Sequence, residues 1–134
     1  GLIVGDPGLI AEIREVRKHA GMLTPLPIQR AMTAALGDEE HVAIQAARYA
    51  NRRKALSSAL IAAGFQIDFS NAGLYIWCTR NEDCWNSVSW LADIGILATP
   101  GVFYGEAGAQ HIRIAMTATD AQIADAAARI MKSL

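Results

Sequence analysis

Hydrophobic positions near the start of the chain recur at the spacing of a helix in two successive segments. Asp6 followed by Pro7 is typical of a helix start, and apolar residues then repeat every three or four positions, which predicts a helix over residues 7–20. The segment 24–27, which contains two prolines, interrupts this pattern. A second apolar stripe follows and predicts a second helix that ends at Gly37.

The first residues and the residues after Gly37 carry two further signals. Residues 1–5 are apolar on both faces, which is typical of a central strand covered on both sides. We therefore expect a longer protein whose sheet extends beyond this opening strand. After Gly37 an acidic stretch supplies a helix cap, and apolar residues then recur every seven positions, which predicts a long connecting helix over residues 38–64.

Beyond residue 64 the apolar period changes to about 2, which is the period of strands. Turn residues separate the apolar segments, so the second half follows the order β-β-α-β-β-α. The predicted elements are strands 65–69 and 74–78, a helix 82–93, strands 96–98 and 111–115, and a helix that begins at Thr119. This order predicts an α+β fold in which a small antiparallel or mixed sheet is covered by helices in a two-layer arrangement.

The composition narrows the function classes. The chain of 134 residues is 52% hydrophobic and can bury one core, and its net charge of -1 without a basic stripe argues against a nucleic-acid partner. No apolar run approaches the ~20 residues that cross a bilayer, so we expect no membrane association and a cytoplasmic protein. The histidines and cysteines lack the spacing of metal ligands, which predicts no metal site. Cys78 and Cys84 are expected to be free packing residues.

Arg113 is the residue with the clearest chemical meaning. It lies in an apolar strand, where alternation places it on one face with His111 and places Ile112 and Ile114 on the other. A guanidinium in that position is either a solvated rim residue or a fork aimed at an anion. The Gly-rich segment 99–108 before it can let a ligand approach the backbone, which favours a carboxylate pocket.

The same residues resemble a known family. Residues 94–105, which read IGILATPGVFYG, together with the strand HIRIA at 111–115, are similar to the carboxy-terminal signature of class I and II aminotransferases. These are pyridoxal-phosphate enzymes of fold type I. Residues 70–77 resemble a strand of that family, and residues 1–6 resemble the strand that follows its cofactor lysine. Within the family, the residues look most like those of actinobacterial succinyldiaminopimelate transaminases.

The resemblance implies roles for individual residues. Arg113 matches the arginine that holds the substrate α-carboxylate, and Gly73 matches a glycine whose backbone lies beside the substrate. Four residues match the pocket wall: Thr99, Pro100, Gly101 and Tyr104. Tyr75 and Trp77 fall at pocket or core positions. The Tyr-Gly-Glu sequence at 104–106 departs from the family's Phe-Gly, which leaves the side-chain specificity open.

The resemblance also implies a cofactor and partners. Pyridoxal 5'-phosphate would be bound mainly by residues upstream of this chain, because Lys18, Lys54 and Lys132 fall in helical patterns and not in a Ser-x-x-Lys loop. We therefore expect no catalytic residue in this chain and no activity of the chain alone. The resemblance implies amino-acid and keto-acid substrates, with glutamate as the amino donor. It also implies a second subunit in a homodimer.

Two interpretations remain open. In the first, residues 1–37 end a large cofactor-binding domain, residues 38–64 form the connecting helix, and residues 65–134 form the carboxy-terminal small domain of an aminotransferase of lysine biosynthesis. In the second, the chain is a stand-alone α+β module that binds a carboxylate or regulates another activity without catalysis.

Overall fold

The computed structural model describes residues 2–134, which form two compact units, one up to His41 and one from Val42 to Leu134. The first unit holds helices α1 (Pro7–His19) and α2 (Leu26–Leu36), which confirms both predicted helices. Asp6 caps α1, since its Oδ1 accepts hydrogen bonds from the backbone N–H groups of Gly8 (2.9 Å) and Leu9 (3.1 Å). The predicted long helix is α3 (Glu39–Ala62).

The predicted opening strand is wrong for residues 2–5, which have no regular secondary structure; Gly1 lies outside the described residues. The side chains of Leu2, Ile3 and Val4 are all exposed. A strand needs a neighbour to pair its backbone N–H and C=O groups, and every paired strand of the described residues lies between residues 66 and 115. An apolar segment without such a neighbour does not form a strand.

The second unit is built on one antiparallel sheet, which confirms the α+β prediction. Its strands, in the spatial order β1-β2-β4-β3, are β1 (Gln66–Asp68), β2 (Tyr75–Thr79), β3 (Thr99–Pro100) and β4 (His111–Ala115). Helices α4 (Cys84–Asp93) and α5 (Asp120–Lys132) complete the unit. The predicted start of α5 is confirmed, since Thr119 and Gln122 form a reciprocal capping box.

The predicted strand at 96–98 is wrong, and pairing begins only at Thr99. The end of α4 explains the shift. Gly95 adopts a left-handed conformation (φ +73°), and the Ile96 N–H donates to the Leu91 carbonyl (2.8 Å), so these residues complete the helix terminus. Leu97, which is 91% exposed, connects this terminus to β3.

One face of the sheet packs against the helices. Its residues include Ile76 and Cys78 of β2 and Ile112 and Ile114 of β4, all of which are buried. Helices α3, α4 and α5 contribute seven more members of this core: Leu56, Ala59, Leu60, Cys84, Leu91, Ile123 and Ile130. The segments between the regular elements contribute Phe65, Ile96, Ala98 and Met116. Both cysteines are free and buried, as predicted, and burial raises the pKa of the Cys78 thiol to about 12.

Residues 2–134 contain neither a membrane-crossing helix nor a cluster of metal-ligating side chains. No helix in this range is both long and apolar enough to cross a bilayer. The same residues contain no group of three or more His, Cys, Asp or Glu side chains that could hold a metal ion.

Candidate carboxylate-binding site

The sheet face opposite the helices carries the polar and aromatic residues. Strand pairing sets Trp77 opposite Arg113 on one side, and Thr99 opposite Arg113 on the other. Asp68 in turn lies opposite Trp77. Since alternate residues of a strand share a face, this open face contains six residues of interest: Asp68, Tyr75, Trp77, Thr99, His111 and Arg113.

Arg113 is half-buried against two tyrosine rings. Its Cζ lies over the ring of Tyr75, 4.1 Å from the centroid, and 5.1 Å from the centroid of Tyr104. Tyr75 comes from β2, and Tyr104 ends a 3₁₀ turn at Gly101–Tyr104. Both distances are within the range of cation–π attraction. The rings contact the guanidinium through its carbon, which leaves the N–H donors around its edge for other partners.

Those donors have no partner within residues 2–134. The buried Nε of Arg113 makes no hydrogen bond, and the guanidinium forms no ion pair with any described carboxylate. Every other half-buried arginine of these residues donates at least one hydrogen bond: Arg17, Arg52, Arg53, Arg80 and Arg129. Because buried donors are normally satisfied, Arg113 has the properties of a site for an external anion.

A row of side chains in contact with one another leads from Asp68 through His111, Trp77 and Tyr104 to Arg113. Asp68 Oδ2 lies 3.0 Å from His111 Nε2, and the His111 ring stacks on Trp77 with centroids 5.1 Å apart. The Trp77 ring meets Tyr104 in an edge contact at 5.8 Å. The hydrogen bond from His111, and after it one from Gln66, lowers the pKa of Asp68 below its ordinary value. The row connects the ring of Tyr104 to a hydrogen-bonded pair on β1 and β4.

The structure brings together only part of the residues proposed for the site. Thr99 and Tyr104 lie beside Arg113. Pro100 is buried on the core side, opposite Ile112. Gly73 has a left-handed conformation (φ +82°) just before β2, and its carbonyl accepts a hydrogen bond from Arg53.

Gly101 serves the backbone of the turn. It is buried, and a Cβ there would lie 2.3 Å from the Gly108 carbonyl oxygen and 2.5 Å from the His111 carbonyl oxygen. Only glycine fits this close approach of three backbone segments. The Gly-rich segment therefore uses Gly101 to pack against its own chain, and it presents Tyr104 to Arg113.

The sequence left the roles of Tyr75, Trp77 and His111 open and gave no signal for Asp68. Tyr75 and Trp77 lie on the open face, and His111 pairs with Asp68 there. The alternation of Tyr75 and Trp77 in their strand was a usable signal, but it identifies neighbours of Arg113 only once the register of β2 against β4 is known.

No lysine of the second unit, residues 42–134, lies on this face. Lys54 and Lys132 belong to α3 and α5, whose buried residues pack on the other side of the sheet, and Lys18 belongs to the first unit, where it pairs with Glu15. The residues around Arg113 therefore suit a carboxylate and do not by themselves fit pyridoxal phosphate, whose covalent attachment needs a lysine amine.

Comparisons with known proteins agree with this chemistry. Residues 1–130 match the family model "Aminotransferase class I and II". The chain is 55% identical to a probable aminotransferase of Mycobacterium tuberculosis and 56% identical to the 4-dedimethylamino-4-oxo-anhydrotetracycline transaminase of Streptomyces rimosus. Both matches cover 97% of this chain and 31% and 36% of those proteins, so the chain spans about a third of their length.

A more distant relative and a solved structure extend the likeness. An LL-diaminopimelate aminotransferase of Dehalococcoides mccartyi is 33% identical over 97% of this chain and 34% of its own length. The crystal structure of an aminotransferase from Neisseria meningitidis superposes with a TM-score of 0.85 at 28% identity, over 99% of this chain and 36% of that chain. With its family match and its relatives, the chain belongs to the class I and II aminotransferases.

Proposed function

We propose that this chain is the substrate-carboxylate-binding part of a pyridoxal-phosphate-dependent aminotransferase. The observation that carries the proposal is Arg113, a half-buried guanidinium held against two rings with no partner for its donors. A planar carboxylate accepts two parallel hydrogen bonds from such a fork. This contact would hold the amino-acid or keto-acid substrate in a fixed orientation, which is where much of the rate enhancement of a two-substrate enzyme comes from.

In this proposal, residues of the complete enzyme other than 1–134 supply the cofactor-binding part of the catalytic site. Pyridoxal phosphate supplies the electron sink of the reaction when it is bound, and residues upstream of residue 1 would hold it. Tyr104 and Thr99 form the wall beside the bound carboxylate. Gly73 lies just before β2, near the end of the strand that carries Tyr75. The chain alone would be inactive, and the complete enzyme would be a cytoplasmic homodimer.

The proposed reaction takes the amino group from glutamate to a keto acid of the diaminopimelate route to lysine, including its N-succinyl form. The support is the 33% identical relative named LL-diaminopimelate aminotransferase. The 56% identical relative, by contrast, is named for an anhydrotetracycline intermediate. Assays of the complete enzyme with glutamate and a panel of keto acids would decide between these acceptors. No turnover of any diaminopimelate precursor would contradict this part of the proposal.

Arg113→Lys in the complete enzyme tests the role of the guanidinium. Lysine keeps the charge but loses the fork. Since a hydrogen bond to a charged group contributes about 1.5–3 kcal/mol, we expect kcat/KM for the amino acid to fall about 10- to 100-fold. Arg48→Lys is the control, because Arg48 is an exposed arginine of the same unit. A fall of less than about twofold for Arg113→Lys would exclude Arg113 as the carboxylate ligand.

The alternative function, a carboxylate-binding module without catalysis, has one observation in its favour. Arg113 and both of its rings belong to residues 42–134, so the anion contact does not need the first unit. Two measurements on the 134-residue chain distinguish the proposals. Binding of a simple carboxylate by the chain alone with a submillimolar Kd would favour the module. A coloured covalent adduct with pyridoxal phosphate would overturn the expectation that no lysine of the chain serves as the cofactor lysine.

A further inference from the structure

We infer that Tyr75 and Tyr104 are positioning residues that hold the Arg113 guanidinium in its carboxylate-binding orientation. The inference rests on the function proposed above and adds two residues that act through Arg113.

The need for positioning follows from the length of the arginine side chain. A free arginine populates many rotamers, and ordering it for one ligand opposes binding. The other half-buried arginines are held by hydrogen bonds, as Arg52 is held by Asp120 and the Met116 carbonyl. Arg113 has no such bond within residues 2–134, and the contacts that remain for its guanidinium are the rings of Tyr75 (4.1 Å) and Tyr104 (5.1 Å).

The rings are suited to this task because they attract the cation without occupying its donors. A carboxylate that fixed Arg113 would also compete with the substrate for the same N–H groups. An aromatic face attracts the guanidinium through its quadrupole and leaves those groups free. Two rings can therefore restrict the rotamer while the site remains empty of competing anions.

Tyr104 is itself supported by an aromatic neighbour, Trp77. The residue is 54% exposed, so burial does little to hold its side chain. The edge contact with Trp77, the stacking of Trp77 on His111 and the His111–Asp68 hydrogen bond support it. Tyr75 is held by its place in β2, opposite Ala115 of β4.

Kinetics of ring-removing and ring-keeping variants in the complete enzyme test this inference. We expect Tyr75→Leu and Tyr104→Leu each to raise KM for the amino acid and the inhibition constant of propionate about 3- to 30-fold, with kcat within about threefold. Tyr75→Phe and Tyr104→Phe keep the ring, so both variants should have the wild-type KM and the wild-type inhibition constant. Phe103→Leu is the matched control, because Phe103 is an exposed ring that neighbours Tyr104 in sequence and contacts Trp85.

A double variant separates the failure of this inference from the failure of the proposed function. In the Arg113→Lys background, the leucine variants should cause little further loss, because the ring contacts act through the guanidinium. Equal losses in both backgrounds, or leucine variants with wild-type KM, would overturn the positioning role while leaving Arg113 as ligand. A wild-type KM for Arg113→Lys alone would instead refute the carboxylate site.

Discussion

Two arginines of the second unit have similar aromatic surroundings and opposite electrostatic ones. The Cζ of Arg80 lies 4.8 Å from the ring centroid of Phe65 and 4.6 Å from that of Trp90, much as Arg113 lies against its two tyrosines. Arg80, however, also forms an ion pair with Glu82, in which Nη2 and Oε1 are 2.6 Å apart. The hydroxyl of Ser87 donates to the same carboxylate oxygen.

The difference teaches how to separate a structural arginine from a binding one. Around Arg80 the protein supplies rings and carboxylate together, and one ring, Phe65, is buried in the core. Around Arg113 it supplies exposed rings and no carboxylate within residues 2–134. Cation–π contacts therefore do not indicate a function by themselves. The informative feature is a held guanidinium whose hydrogen-bond donors remain unsatisfied.

The largest effect we expect is on the turn that carries Tyr104, one of the two rings that contact Arg113. Gly101→Ala places a methyl group 2.3 Å from a backbone oxygen of Gly108 that cannot move freely. Overpacking of this kind costs about 1–3 kcal/mol or more of the free energy of unfolding. Chemical denaturation of the variant measures it. Gly37→Ala, where the nearest atom is 3.5 Å away, is the control and should cost little.

A smaller effect separates the two arginines directly. Arg80→Met leaves the half-buried Glu82 without its cation and should lower the free energy of unfolding by about 1 kcal/mol. Arg113→Met removes a guanidinium with no internal partner and should change it by less than about 0.5 kcal/mol. Carboxylate binding should show the reverse order. Equal destabilisation by the two substitutions would mean that Arg113 is also a structural arginine.

The smallest effect is a pH dependence of stability that arises at Glu82, the partner of Arg80. Burial alone would raise the pKa of Glu82, but hydrogen bonds from Ser87 and Arg80 outweigh it and lower the pKa below its ordinary value. The pKa of Glu82 in the folded state is thus below its unfolded value of about 4.3. The charged glutamate therefore stabilises the fold fully above about pH 4.3, and this stabilisation is lost as the pH falls through the folded-state pKa.

Comparison of wild type with Glu82→Gln measures this dependence. The stability difference between them should be present at neutral pH and should shrink below about pH 4, where the glutamate is protonated. Glu12→Gln, on the exposed surface of α1, provides the control. A difference that stays constant down to pH 3 would show that the charge of Glu82 does not contribute.

Local patterns in the sequence were enough for most of the elements. Helices α1, α2, α3 and α5 and strand β4 lie where the apolar spacing and the caps at Asp6 and Thr119 place them. A helix satisfies its backbone within four residues, so its signals are close together in the chain. The position of Arg113 on an alternating strand was visible for the same reason.

Two apolar segments predicted as strands do not form strands, for different reasons. The apolar residues 2–5 read as a strand, but pairing requires a neighbour that a local pattern does not provide. Residues 96–98 also read as a strand, whereas Gly95 and Ile96 are used by the end of α4. Both segments are apolar in the sequence, but neither pairs with a neighbouring strand.

By itself the sequence determined the order of the elements from residue 7 onward, the α+β class and the arginine that faces away from the core. The tertiary structure decided what surrounds that arginine. Tyr75 reaches Arg113 across 38 positions of chain, and Asp68 reaches His111 across 43, because strand register and not sequence spacing sets these neighbours. The absence of a carboxylate partner for Arg113 within residues 2–134 also depends on every element around it, and that property turns a strand arginine into a candidate binding site.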